Sequence, residues 1–160
     1  MPATTRTWVL SAIASLAAAA ACGTASPEIV AIEYLRATRT GDSDDAIAML
    51  DMDTIVDRVK SRIMMVNTDG DPDRFLYDSV QTVLWGLFQE TPRQDELTYD
   101  APPADLDGQK ATVRVVLTAA DGTTRTRAVY LRRAGTGWLV SGRSLDELVA
   151  YAIQRLEERF

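Results

Sequence analysis

The sequence predicts an α+β domain in which a set of helices precedes an antiparallel sheet. Between residues 27 and 91, apolar side chains recur at the three- and four-residue spacing of amphipathic helices. From residue 96 to residue 140 they alternate with polar side chains, which is the period of a half-buried strand. Helices and strands are therefore segregated along the chain, an order typical of α+β rather than α/β domains. With 160 residues, 46% of them hydrophobic, the chain is long enough for one domain with a core.

Two helices are predicted at the start of the domain. Ser26 is suited to cap the first helix, because Pro27 follows in the first helical position and Glu28 in the first turn. Gly41 is expected to end it. A short second helix is expected to start at Asp42 or Ser43 and to run to residue 50.

Two further helices are predicted before the sheet. Asp53 is the expected cap of the third, whose apolar residues continue to Val66. Asp71 is the expected cap of the fourth, which ends before Pro92. This fourth helix is the most apolar of the set, and we expect it to be the central helix on the sheet.

The sheet is predicted from one short strand and a hairpin. Residues 96–100 form the short strand, and Pro102 with Pro103 closes it. Residues 111–119 have an apolar side chain at every odd position, and Asp121-Gly122 suits a two-residue hairpin turn with positive φ at both positions. A third strand, residues 138–140, follows a glycine-rich turn, with Trp138 as its buried anchor.

The two-residue turn determines which side chains share a face. It places Leu117 opposite Thr126, and Val113 opposite Tyr130. The predicted inner face then consists of Val113, Val115, Leu117, Ala128 and Tyr130. The predicted outer face consists of Arg114, Val116, Arg125, Arg127, Val129, Leu131 and Arg133.

A final amphipathic helix is predicted over residues 144–160. Ser144 and Glu147 have the spacing of a capping box, and apolar residues follow at helical spacing as far as Phe160. We expect this helix to dock on its own domain rather than to bind a membrane.

The first residues resemble a bacterial lipoprotein signal. Residues 8–21 are an apolar, alanine-rich run, and they end in small residues directly before Cys22, the only cysteine of the chain. The resemblance implies a signal peptide over residues 1–21, lipidation of Cys22, and a tether over residues 22–26. Ala19 departs from the family pattern, which has leucine there, so a plain secretory signal or an uncleaved anchor remains an alternative. The predicted location is extracytoplasmic, on a bacterial membrane.

Composition excludes several activities. The net charge of -6 and the pI of about 4.6 argue against a nucleic-acid partner. The chain has no histidine, which excludes Ser-His-Asp triads and histidine zinc sites, and one cysteine cannot form an intramolecular disulfide. The acidic residues from Asp69 to Asp73 do not follow the calcium-loop pattern, so neither a metal nor a cofactor is expected.

Basic residues concentrate in the predicted hairpin. Residues 109–143 contain seven basic residues and one acidic residue, a net charge of +6 in an acidic protein. A solvated face with arginine stems over apolar side chains is the simplest interpretation. The alternatives are a contact for an acidic protein, for lipid head groups or for a second copy in a homodimer through the sheet. The residues of this predicted partner face are Arg114, Val116, Arg125, Arg127, Val129 and Leu131.

The order of these features resembles the nuclear-transport-factor-2-like (NTF2-like) superfamily. The similarity covers residues 27–143 and rests on Tyr34-Leu35, Gly41-Asp42, residues 46–50, the Asp-Gly turn and the closing Gly-Trp-Leu-Val. Within that superfamily, the chain most specifically resembles small bacterial lipoproteins of the cone-shaped, cystatin-like fold whose function is unknown. The resemblance implies helices packed on a curved antiparallel sheet over a domain of residues 27–160. The helix after residue 143 is an addition to the minimal pattern, and it is similar to that of periplasmic phospholipid carriers.

Three functions remain open from the sequence. A membrane-anchored, non-enzymatic binding domain is the first. A carrier of a lipid or other apolar ligand is the second, with a cavity lined by Tyr34, Phe75, Val83, Leu87, Val113, Val115, Tyr130 and Leu148. The third is a carboxylate-dependent isomerase- or dehydratase-like enzyme, for which Glu33, Asp100 and a tyrosine are the only stand-ins. No residue falls on a catalytic motif, so the sequence predicts a protein that is not an enzyme.

Overall fold

A computed structural model describes residues 25–63, 71–94 and 96–159. The predicted signal peptide, Cys22 and most of the tether lie outside the described residues. The elements in chain order are α1 (Pro27–Thr40), α2 (Ser43–Ala48), α3 (Met52–Lys60), α4 (Pro72–Glu90), β1 (Thr98–Asp100), β2 (Asp105–Asp107), β3 (Lys110–Thr118), β4 (Thr124–Ala134), β5 (Gly137–Val140) and α5 (Asp146–Glu157). Helices precede a strongly curled antiparallel sheet and one helix follows it, which confirms the predicted α+β architecture with an extra C-terminal helix.

The predicted caps of the first four helices are confirmed with one exception. Ser26 caps α1 and Asp71 caps α4, each directly before a proline, and Gly41 ends α1 in the left-handed region at φ 78°. The prediction of Asp53 as the cap of α3 was wrong. Asp51 is the cap, because its carboxylate accepts hydrogen bonds from both the backbone and the hydroxyl of Thr54. The predicted end of this helix at Val66 lies outside the described residues, and α3 itself ends at Lys60.

The first helix, rather than the fourth, packs against the sheet. α1 contacts β3, β4 and β5 through its buried face, which includes Val30, Ala31, Tyr34 and Ala37. The prediction that α4 would be the central helix on the sheet was wrong. α4 buries its apolar face mainly against α2, α3 and α5, so its hydrophobicity reflects a helical layer behind the sheet.

The sheet has the strand order β1-β3-β4-β5, and all pairs are antiparallel. β2, which the sequence did not predict, pairs with the start of β3 on the edge where β1 pairs with its end. In the chain from β3 to β5, the inner face buries Val113, Val115, Leu117, Val129, Leu131 and Val140.

The hairpin loop is one residue longer than predicted, and this shifts the register. The amide of Gly122 donates to Ala119 O at 2.9 Å, and the amide of Ala119 donates to Thr123 O at 2.9 Å. These bonds enclose a loop of three residues, 120–122, within which only Gly122 has a positive φ, 81°. Leu117 therefore opposes Arg125, and Val113 opposes Val129.

A shift of one residue turns every β4 side chain to the other face. Val129 and Leu131, predicted to lie outside, are buried in the core. Ala128 and Tyr130, predicted to lie inside, are on the outer face, where Ala128 is exposed. These four assignments, and the assignment of Arg125, Arg127 and Arg133 to the outer face, were wrong for the same reason.

Two predictions about the end of the chain were also wrong. Trp138 is only partly buried and stacks against the Arg133 guanidinium at 5.5 Å, whereas Val140 is the fully buried residue of β5. Ser144 does not form a capping box, because its hydroxyl accepts a hydrogen bond from the backbone amide of Tyr130 at 2.9 Å. Residues Gly142–Leu145 form a 3-10 turn instead, and α5 then docks on α3 and α4.

Candidate functional site

A groove of about 710 Å³ lies at the open end of the sheet. It is formed by the end of α1, the segment after α4, the two residues directly before β1, and the β3–β4 hairpin. Its lining residues are Arg39, Arg93, Gln94, Glu96, Leu97, Leu117, Ala119, Ala120, Asp121, Thr123, Arg125 and Arg127. Four arginines from three separate segments of the chain thus converge on one concave surface, which we call the arginine groove.

The observed register places two of these arginines on the inner face of the sheet. Arg125 opposes Leu117 and Arg127 opposes Val115, and opposed residues of an antiparallel pair point to the same side. Further along β4, the same face carries Val129, which is buried. Because α1 ends at Thr40, the inner face changes from apolar to basic at the end of the sheet that the helix leaves open.

Contacts between the end of α1 and the segment after α4 place the other two arginines at the groove. Arg39 lies in the last turn of α1, its carbonyl accepts the amide of Gln94 at 3.0 Å, and its guanidinium donates to the Gln94 side chain. Arg93 packs over Gly41, where an added Cβ would lie 3.4 Å from Arg93 Nε. The left-handed turn at Gly41 therefore ends α1 beside the Arg93 side chain.

The positive charge of the groove is not neutralised by described residues. Among the described residues of the lining, Glu96 and Asp121 carry carboxylates, against four arginines. Among the residues that the structure describes, none of the four arginines forms a salt bridge. Asp121 is occupied with the backbone amide of Thr123, which donates at 2.8 Å and lowers the pKa of the carboxyl. Arg39 Nε is buried and has no hydrogen-bond partner in the described part of the chain.

The arrangement suits the binding of an anion more than acid–base catalysis. Guanidinium groups donate paired hydrogen bonds to carboxylate or phosphate oxygens, and they do not lose their proton in proteins. Leu97 and Leu117 add an apolar floor beside them. The groove thus offers guanidinium charge and hydrogen-bond donors beside apolar side chains.

The residues predicted to line an apolar cavity lie in different places, some in the core and others on the surface. Tyr34, Val83, Val113, Val115 and Leu148 are buried together in the core, and Leu87 is partly buried against it. Phe75 is exposed on α4, and Tyr130 lies on the outer face of the sheet because of the register shift. None of the eight lines the arginine groove, and the predicted cavity stays a prediction.

The predicted partner face is also divided. Arg114 and Val116 lie on the outer face as predicted, and they oppose Ala128 and Thr126. Arg125 and Arg127 lie on the inner face at the groove. Val129 and Leu131 are core residues and are not available to a partner.

The buried carboxylate of the described structure serves the fold. Asp51 is 1% exposed, and its carboxylate accepts from the Arg132 guanidinium, with Nη2 at 2.7 Å, and from Ser141 Oγ at 3.3 Å. The Arg132 guanidinium, together with Thr54, lowers the pKa of Asp51 to about 2, against the opposing effect of burial. A carboxylate held in its ionised form in this way fastens the start of α3 to the end of the sheet.

Sequence reasoning missed Arg39 and Arg93 as site residues. Arg39 and Gln94 are 55 positions apart, and no local pattern indicates that their side chains meet. No group of three or more histidine, cysteine or carboxylate side chains in the described ranges is placed to hold a metal ion. No helix among the described residues has the length and apolar character needed to span a bilayer.

Comparisons with known proteins return one distant structural similarity. A Campylobacter jejuni crystal structure with the provisional name NTF2-like transpeptidase aligns with 72% of this chain and 97% of its own. The two share 15% sequence identity, and the TM-score is 0.45. No protein-family model matches the chain, and a search of curated protein sequences finds no significant match.

Proposed function

We propose that this protein is a non-enzymatic binding domain that holds an anionic ligand in the arginine groove. The observation that carries the proposal is the convergence of Arg39, Arg93, Arg125 and Arg127 on one surface without a neutralising salt bridge to a described residue. Like charges gathered in this way repel one another, and an anion relieves that repulsion. The protein as a whole is acidic, so this basic surface is a local feature.

The proposal includes a cellular location for the protein. A Cys22 lipid anchor would leave two residues between the lipidated cysteine and Ala25, the first described residue. The domain would then stand on the outer side of a bacterial membrane, with its groove open to ligands of the envelope. Mass spectrometry of the protein from its membrane fraction tests this part: a diacylglyceryl group on Cys22 is expected, and an unmodified or cleaved N-terminus without lipid would contradict it.

The ligand chemistry recognised by guanidinium groups is an oxyanion, either carboxylate or phosphate. Isothermal titration with citrate and, separately, with inorganic pyrophosphate distinguishes these two sources. The test variant is Arg125→Glu/Arg127→Glu, in which both changed side chains are exposed. The matched control is Arg114→Glu/Arg143→Glu, which changes the net charge equally at exposed positions outside the groove.

We expect at least one of the two anions to bind, and the groove variant to weaken that binding at least about tenfold. The control variant should change the affinity by less than about twofold, because long-range charge effects are screened by salt. Equal losses in the two variants, or no binding of either anion, would overturn the proposal.

A further inference from the structure

The strand that carries two of the groove arginines also has an unpaired edge. β4 spans Thr124–Ala134, but β5 pairs only with Leu131–Ala134. Beyond that point the Ser141 amide donates to Tyr130 O at 2.8 Å, and the Tyr130 amide donates to Ser144 Oγ at 2.9 Å. Pairing on this side of β4 therefore ends at Tyr130 in the described structure.

The backbone groups at the open edge can be identified from the ladder. Along an antiparallel strand, the N–H and C=O groups of successive residues point alternately to the two neighbouring positions. Those of Tyr130 point away from β3, so those of Thr124, Thr126 and Ala128 do so as well. No described residue pairs with these three, and all three are exposed. Their donors and acceptors are thus available to another chain.

The side chains along this edge favour one kind of partner. Thr124, Thr126 and Ala128 are small and lie on the outer face, so they leave the edge accessible. Arg125 and Arg127 alternate with them and point into the groove. A strand added here would place every second side chain beside an arginine, and acidic residues at those positions would form favourable cross-strand pairs.

A second copy of this protein does not fit the same edge. Antiparallel pairing of two β4 edges about Thr126 would set Arg125 of one copy against Arg127 of the other. Directly opposed like charges destabilise a strand pair, and charged side chains commonly protect exposed edges from self-association. The complementary partner is an acidic chain.

We propose that the edge formed by Thr124, Thr126 and Ala128 binds an extended acidic peptide segment as an added antiparallel strand. Its carboxylates alternate along the strand and face Arg125 and Arg127. The inference rests on the proposed function, because it identifies the anionic ligand of the arginine groove as a peptide.

The probe is an acetylated seven-residue peptide in which three glutamates alternate with four threonines. In the proposed arrangement, the glutamates face the groove and the threonine amides donate to β4. Two analogues separate backbone pairing from charge alone: one carries N-methyl groups on two threonine amides, and the other carries them on two glutamate amides. Both keep the same charge and the same number of methyl groups.

We expect the threonine-methylated analogue to bind at least tenfold more weakly than the parent, measured by fluorescence anisotropy of labelled peptides. The glutamate-methylated analogue should bind within about threefold of the parent. In the Arg125→Glu/Arg127→Glu variant, the parent peptide should lose affinity, and a lysine–threonine peptide should gain it. Equal affinities of the two analogues, or any reversal of their order, would overturn the added strand.

The peptide result is distinguishable from failure of the proposed function. Suppose that citrate or pyrophosphate binds the groove. If the parent peptide then does not bind, or if the peptides bind equally well whichever amides are N-methylated, only the added strand is wrong. If the small anions also fail to bind, the anion-binding groove itself is wrong.

Discussion

Arg127 lies directly opposite Val115 in the antiparallel pair of β3 and β4, so a fully buried valine and an exposed arginine share the inner face of the sheet. The pair marks the point at which the core ends and the arginine groove begins. α1 packs against β3, the strand of Val115, and β4, the strand of the arginines, pairs with β3 from Thr124 to Arg132. A rigid strand is a better support for a binding site than a loop.

The register can be tested at two adjacent positions of β4. Val129→Ala should lower the free energy of unfolding by about 2 kcal/mol, because a fully buried side chain is shortened and leaves a cavity. Ala128→Ser should change it by less than about 0.5 kcal/mol, because Ala128 is exposed on the outer face. Urea denaturation measures both. A larger loss of unfolding free energy at residue 128 than at residue 129 would contradict the observed register and support the two-residue turn.

Alanine substitutions at two glycines distinguish the cost of backbone strain from the cost of steric crowding. Gly122→Ala should destabilise the protein by about 1 kcal/mol, because residue 122 has φ 81° and an L side chain is strained there. Nothing lies within 4 Å of the added Cβ, so the cost is conformational. Gly86→Ala is the matched control in α4, also with open space, and should stabilise by about 0.5–1 kcal/mol. Thermal unfolding of the two variants should show melting temperatures that move in opposite directions.

The ion pair between the buried Asp51 and Arg132 predicts that two nearby aspartates contribute differently to stability. Asp51→Ala removes the cap of α3 and the partner of Arg132, and we expect a loss of about 2–3 kcal/mol in the free energy of unfolding. The expected loss is smaller than for a fully buried ion pair, because the Arg132 side chain is 39% exposed and can be solvated by water once Asp51 is removed. Asp53→Ala, at the exposed position that the sequence favoured as the cap, should cost less than about 1 kcal/mol. Comparable losses at the two positions would argue against Asp51 as the cap.

Acid should remove the contribution of Asp51. The pKa of this carboxyl is about 2 in the folded protein and 3.8 ordinarily, so the unfolded state binds its proton first as the pH falls. The stabilisation is present above about pH 4 and is lost between about pH 4 and pH 2, by about 2 kcal/mol in total. Asp51→Asn should flatten the pH profile in that window. An unchanged slope in the Asn variant would show that other carboxylates govern acid unfolding.

The sequence predicted the order of elements well because local signals determine it. Ser26 with Pro27, Asp71 with Pro72, and Gly41 are caps and stops whose effect depends on immediate neighbours. The loop at Asp121-Gly122 was harder, because the same dipeptide is compatible with a two-residue and a three-residue hairpin loop. One residue of difference moved Val129 into the core and Arg125 into the groove.

The site was less predictable than the fold because its parts are distant in the chain. Arg125 and Arg127 were singled out as a charged surface, but on the wrong face. Arg39 and Arg93 carried no signal, because their position depends on how α1 and the end of α4 meet across Gly41. Charge concentration is readable from a sequence, whereas convergence of charges requires the tertiary structure.

The most direct test of the arginine groove is the nuclear magnetic resonance signal of each arginine Nε–Hε group during titration with citrate and with pyrophosphate. We expect the signals of Arg39, Arg93, Arg125 and Arg127 to shift together and to saturate with one binding constant. The signals of Arg114 and Arg143, which lie outside the groove, should remain in place. Shifts spread evenly over all six arginines, or confined to Arg114 and Arg143, would contradict an anion-binding site at this end of the sheet.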